Sequence, residues 1–202
     1  MTTRHHALGP LLEGLEAAFL RQEFNGPLRD EVTGTFRALD HSRPAGGAVP
    51  AWIEACDHLQ PALKLAAAAG GDARVISDAF KRIAPELAWG RRKNSAEAGA
   101  AFHDGHANAI VIGPEGLEMR DDIWLGVSLI EPGIQYPMHR HPPEELYIVM
   151  SDGEWYREGD GWFRPGPGGI VHNPGGHIHS MRAGDTPLLA FWLLWKEGGV
   201  SL

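Results

Sequence analysis

Apolar positions recur at two different periods along this chain. In the first hundred residues the period is helical. Leu8, Leu11, Leu12, Leu15 and Phe19 stand three or four apart, and Trp52, Ile53, Cys56, Leu59 and Leu63 repeat the spacing, as do Ile76, Phe80, Ile83 and Leu87. Pro61 is expected to kink or split the second of these helices. Gly70–Gly71 should end it, and Asp72 should cap the third. Gly26–Pro27 and Pro44–Ala45–Gly46–Gly47 read as breaks. The stripes are core-packing faces. Beyond residue 100 the period falls to two. Ile123, Leu125, Val127 and Leu129 alternate with Trp124, Gly126 and Ser128 up to Pro132–Gly133. Leu146–Met150, Glu154–Arg157, Trp162–Arg164 and Leu188–Trp195 are further short runs, separated by Asp152–Gly153, Gly159–Asp160–Gly161 and Pro165–Gly169. Short strands between Gly/Pro turns predict an all-β sandwich or barrel. The fold class is therefore mainly β with an α-helical N-terminal half. Residues 1–100 form a helical region packing on the barrel of residues 101–202.

Charge follows the same division. The net formal charge is −8, from 18 Lys+Arg against 26 Asp+Glu. Residues 1–100 hold 12 of each sign, so the whole deficit falls on 101–202, with 6 basic and 14 acidic residues. An acidic chain argues against nucleic acid or an anionic membrane as partner. Arg91–Arg92–Lys93 reads as a solvated loop. The apolar runs Ala66–Ala69 and Leu188–Trp195 fall far short of the roughly 20 residues of a membrane span. Met1–Pro10 has no apolar core of the signal-peptide kind, so a cytoplasmic protein is expected. The single cysteine, Cys56, agrees, and excludes an intramolecular disulfide or a thiolate zinc cluster. Histidine is the unusual residue, with eleven copies. Any bound metal must be held by histidine and carboxylate.

Two segments could do this. In Gly133-Ile-Gln-Tyr136-Pro-Met-His139-Arg-His141-Pro-Pro-Glu144-Glu145-Leu-Tyr147, His139 and His141 are two apart and share a face in extended chain, and Glu145 and Tyr147 keep the parity across Pro142–Pro143. Spacing favours Glu145 over Glu144, which should face the other way. In Gly168-Gly-Ile-Val-His172-Asn-Pro174-Gly-Gly176-His177-Ile-His179, His177 and His179 share a face. Two histidine pairs and a carboxylate offer three or four N/O ligands and leave open positions for substrate. His172 and His177 are kept as pocket candidates. His5, His6, His41, His58, His103 and His106 are read as ordinary exposed histidines.

These segments resemble the two cupin motifs. Gly133, His139, His141 and Glu145 fit the first, with Gly153 one residue late. Gly168, Pro174, Gly176 and His179 fit the second, with Ala183 where Asn is usual. The resemblance implies a C-terminal cupin (jelly-roll) β-barrel. The run through Tyr136, His139, His141, Glu145 and Tyr147, after a helical N-terminal half, is more narrowly similar to the small bacterial cupin lyases of the Q type, which cleave dimethylsulfoniopropionate (DMSP). That resemblance implies metal ligation by His141, Glu145 and His179, with Tyr147 at the metal and acting as base. It makes Tyr136 and His139 supporting or substrate-contacting residues, and His139 a candidate fourth ligand. The cofactor is one divalent transition metal (Zn, Fe, Mn, Co or Ni) and the partner a small-molecule substrate, with no nucleic acid and no membrane. Trp192, Trp195, Trp124 and Tyr136 are candidate faces for a sulfonium. Trp192 and Trp195 have opposite parity, so one of them should face inward. The acidic second half should favour approach of the sulfonium end. Two rival functions share these ligands: a non-haem metal dioxygenase, and a cupin that binds a small molecule without turnover. The sequence assigns no oligomeric state.

Overall fold

A computed structural model of the chain describes residues 4–24, 26–47 and 49–195. The helical half contains α1 (Leu8–Arg21), α2 (Pro27–Leu39), α3 (Leu59–Ala69), α4 (Gly71–Phe80) and, at the junction, the short α5 (Ala100–Asp104). The apolar stripe of α1 is buried along Leu8, Leu11, Leu12, Leu15 and Phe19. Helix α2 lies where the periodicity analysis marked only a break. Gly26 takes a positive φ of 59°, and Pro27 fills the first helical position, where its missing N–H costs nothing. Val32, Phe36 and Leu39 then face the core. Pro61 neither kinks nor splits a helix. A 3₁₀ turn, Glu54–His58, precedes α3, and Pro61 sits in that helix's first turn. Helix α4 ends at Phe80, so Ile83 and Leu87 are buried from the turn that follows. Asp72 caps nothing, because its carboxylate is taken by Arg21 of α1.

Among the described residues nine strands follow: β1 (His106–Ile112), β2 (Ile123–Ile130), β3 (Gln135–His139), β4 (Glu144–Val149), β5 (Glu154–Arg157), β6 (Gly161–Phe163), β7 (Ile170–Asn173), β8 (His179–Arg182) and β9 (Leu188–Trp195). They form a five-stranded sheet in the order β1-β2-β9-β4-β7 and a four-stranded sheet in the order β3-β8-β5-β6, paired antiparallel throughout. Two such sheets, with the chain crossing between them, make a jelly roll. No strand pair joins the sheets among the described residues, so the expected barrel is two facing sheets and not one closed sheet.

Strand β9 shows how the layers stack. Leu189, Phe191 and Leu193 join the helices in one hydrophobic cluster, and Phe191 meets Phe80 edge-on with ring centres 4.8 Å apart. Leu188, Ala190, Trp192 and Leu194 point the other way, into a second cluster between the sheets with Tyr136, Trp155 and Met181. A strand covered on both faces has no polar side to show, which is why its sequence runs unbroken apolar. Trp192 is the inward tryptophan of β9. It is paired with Gly126 on β2, where an added Cβ would lie 2.0 Å from the indole. Trp195 lies on the outer side and donates its indole N–H to Glu31 of α2 at 3.3 Å.

Candidate metal centre

The site lies between the sheets, on β3, β4 and β8 and the turn after β3. His139 and His179 are directly paired across β3 and β8, with ring centres 4.2 Å apart. His141 follows in the Pro-containing turn, 5.0 Å from the ring of His179. The ligating atoms of His139, His141 and His179 all lie within 4.8 Å of one another. Each ring is held by its other nitrogen. Nδ1 contacts a backbone carbonyl in all three: Pro137 for His139 at 2.9 Å, Pro143 for His141 at 3.1 Å and His177 for His179 at 3.0 Å. A carbonyl can only accept, so Nδ1 carries a proton in each ring, and whenever a ring is neutral its Nε2 lone pair is free for the common centre. Metal-binding histidines are oriented in this way.

Glu145 enters from β4 and is 3% exposed. Its Oε2 is 3.3 Å from His141 Nε2 and 3.1 Å from His179 Nε2, and accepts from Asn173 Nδ2 at 3.2 Å. Burial opposes its ionisation, but the hydrogen bond with His141 and the closeness of His141 and His179 outweigh that and hold the carboxyl well below the usual range. Burial, followed by the neighbouring His179, pushes His139 down to about 3, so this imidazole is neutral. For His141 burial works against the charged form, and the bond to Glu145 and its negative charge reverse the balance and raise the pKa. His179 Nε2 is buried and has no hydrogen-bond partner, since Glu145 lies close but out of line. Three imidazoles, one carboxylate and an orphaned buried ring nitrogen fit a divalent transition metal.

Around this centre is a cavity of about 510 Å³, whose lining includes Tyr136, Tyr147, Trp192, Asn108 and Ser128. Tyr147 projects from β4 two residues after Glu145, with its ring 4.6 Å from Trp155. Burial, and next the charge of Glu145, raise its phenol well above the ordinary value of 10.0. Burial also raises Tyr136, whose hydroxyl accepts from Asn108 Nδ2 at 3.4 Å and whose ring lies 5.0 Å from His139.

The structure thus brings together every residue of the expected set: Tyr136, His139, His141, Glu145, Tyr147 and His179. Glu144 does face away, where it pairs with His172, and His177 is exposed, so neither of these histidines belongs to the pocket. Trp192 lines the cavity, whereas Trp124 and Trp195 do not. His106, expected at the surface, is 0% exposed. It stacks on Phe102 and accepts the Arg92 backbone N–H at 2.9 Å. Arg92 and Lys93 lie in an exposed loop, as expected, but that loop also lines the cavity, so its mouth is basic although its half of the chain is acidic. Sequence reasoning also missed Asn173. Its register opposite Glu145 on β7 is what gives it a role.

A jelly roll with imidazoles converging between its sheets is the cupin arrangement, and these imidazoles could hold a metal ion. Within that class, the family model for dimethylsulfoniopropionate lyase matches residues 30–190, and the chain belongs to this family. The dimethylsulfoniopropionate lyase DddQ of Ruegeria pomeroyi is 34% identical over 122 residues, 60% of each chain, so the alignment spans somewhat under two thirds of that relative. The crystal structure of DMSP lyase DddQ from Ruegeria pomeroyi DSS-3 superposes with a TM-score of 0.72 at 26% identity, covering 96% of this chain and 94% of the other. A chain from the crystal structures of the DMSP lyases RdDddP and RnDddQII gives a TM-score of 0.68 at 25% identity, covering 95% and 93%.

Proposed function

We propose that this protein is a metal-dependent lyase that splits DMSP into dimethyl sulfide and acrylate by β-elimination. The observation that carries the proposal is the convergence of His139, His141 and His179 beside Glu145, at a cavity that Tyr147 also lines. His141, Glu145 and His179, with Tyr147 alongside and His139 as a further imidazole, would hold one ion of zinc, iron, manganese, cobalt or nickel. When bound, such an ion supplies positive charge for a carboxylate and for the negative charge that develops on it during proton removal. Tyr147 is the base. On its own it is kept protonated by burial and by Glu145, and positive charge at the histidine cluster reverses that balance. Its phenolate takes a proton from the carbon next to the substrate carboxylate. The electron pair left behind forms the carbon–carbon double bond, the carbon–sulfur bond breaks, and its pair leaves on neutral dimethyl sulfide. Trp192 offers a π face to the sulfonium, and Tyr136, with its hydroxyl held by Asn108, borders the reacting carbons.

No described helix is long and apolar enough to cross a membrane, and the proposal places the enzyme in the cytoplasm. Purified protein loaded with each ion should release dimethyl sulfide into the headspace over DMSP, anaerobically as well as in air, since elimination consumes no oxidant. A chelator should abolish the release and added ion restore it. No release above background from protein of confirmed metal content would overturn the proposal. Tyr147→Phe should keep its metal and lose activity by about 100-fold or more, and full activity in that variant would remove Tyr147 from the role of base.

A further inference from the structure

Three cations stand at the mouth of the cavity: Arg92, Lys93 and Arg140. Glu145 is the one carboxylate in the lining, and it is already engaged by His141 and Asn173. Arg91, next door, pairs with Asp104, whereas Arg92, Lys93 and Arg140 make no ion pair among the described residues. Arg92 is the member whose position the fold specifies. Gly90 and Asn108 exchange backbone hydrogen bonds at 2.9 and 2.8 Å, which fastens the segment to β1. Arg91 donates to the carbonyl of His103 at 2.7 Å. The Arg92 N–H donates to Nε2 of the wholly buried His106, whose Nδ1–H is turned to the carbonyl of Phe102 and whose ring lies flat on Phe102 at 3.9 Å. Asn94 then takes a left-handed φ of 60° and turns the chain away. A fully desolvated imidazole that spends its lone pair on one backbone amide is a built support. What it fixes is the Arg92 backbone, from which the exposed side chain reaches over Tyr136 with its guanidinium 5.6 Å from the ring centre.

We infer that Arg92, reinforced by Lys93 and Arg140, determines specificity by selecting small carboxylates at the cavity mouth. A guanidinium meets a carboxylate through paired N–H donors and repels a sulfonium. The zwitterionic substrate therefore enters with its carboxylate toward the rim and histidine cluster and its sulfonium toward Trp192. The substrate's identity rests on the function proposed above, but the charge selection does not.

Calorimetric titration separates the two. The probes are propionate, which carries the carboxylate alone, and trimethylsulfonium, which carries the cation alone, against as-purified protein of equal metal content. Arg92→Gln should weaken propionate about five- to tenfold, the scale of one partly screened charge pair, and Arg92→Lys should recover part of it, because an ammonium keeps the charge but not the paired donors. Wild-type affinity for propionate should fall as salt is raised from about 0.01 to 0.15 M, where the screening length shrinks from about 30 to 8 Å, and Arg92→Gln should flatten that dependence. Trimethylsulfonium should bind Arg92→Gln at least as well as wild type. Equal propionate affinity and equal salt dependence in wild type and Arg92→Gln would overturn the inference, even if dimethyl sulfide is released. Arg92-dependent propionate binding by a protein that releases none would uphold the selector and overturn the lyase.

Discussion

Gly126→Ala asks the five-stranded sheet to accept a methyl group where an indole already lies. The new Cβ would stand 2.0 Å from one ring atom of Trp192 and 2.4 Å from two more. Carbon atoms pack best at about 3.5–4.0 Å, so about 1.5 Å must be found. Strands β2 and β9 are in continuous register from Ile123–Trp195 to Ile130–Leu188, and parting them would break that ladder. The indole has open cavity on its other side, so the ring yields and the strands stay paired. Overpacking costs about 1–3 kcal/mol, and the free space puts this case at about 1–2 kcal/mol. For a chain of this size that is a fall in Tm of about 2–8 °C. The displaced ring intrudes where the sulfonium should lie, so KM for DMSP should rise by about tenfold or more. Thermal melts followed by circular dichroism, together with headspace kinetics, read both effects. Trp192→Leu in the same background should recover the lost Tm, because the two sites are coupled through contact, but should not recover KM. A Gly126→Ala protein that melts within about 1 °C of wild type with an unchanged KM would refute the placement of Trp192 against the cavity.

Two further predictions follow from buried polar groups. Asn173→Ala removes the amide that holds Glu145 Oε2, and should lower metal affinity about 10- to 100-fold in competition with a chelator, with a Tm close to wild type; unchanged affinity would mean that Glu145 needs no such support. Burial pulls His106 down to about 4 from an unfolded value near 6.5, so the unfolded chain takes a proton that the folded one refuses. Stability from this group is complete above about pH 6.5 and falls as pH drops toward 4, by about 2 kcal/mol at pH 5. His106→Gln should lessen that slope in denaturant titrations, while His139, with the same sign of shift, keeps its own share. A slope as steep as wild type would show that His106 is not a buried neutral group.

How much of this was legible before the structure depended on how local each signal was. Strand alternation and the His-X-His pairs are short-range patterns; β2, β4 and β9 lie where the alternation indicates, and His139, His141 and His179 come together between the sheets. The parity of β9 separated Trp192 from Trp195 because neither Pro nor Gly interrupts that strand. Helix α2 escaped because its N-cap, Gly26, and its first residue, Pro27, are turn residues, and only the capping geometry turns them into a start signal. His106 was misplaced, and the place of Arg92 beside the cavity went unread, for a different reason. Burial of His106 is decided by Phe102 and by an amide 14 residues upstream, and the position of Arg92 by the pairing of Gly90 with β1. A polar side chain carries no mark of whether its partner is water or a distant backbone atom. Asn173 is similar, since its role exists only once β7 lies beside β4.

Phe191 and Trp192 are neighbours in sequence, yet one belongs to the helical layer and the other to the reaction cavity. A single thickness of β-sheet is all that separates the outer packing from the chemistry. Stripped of its helices, the sheet would turn Leu125, Leu129, Leu146, Ile148, Leu189, Phe191 and Leu193 toward water, an apolar surface that invites aggregation. The strand-rich half is thus poorly suited to life as a free-standing fragment. Repacking the helical side should also be expected to register at the cavity, one peptide unit away.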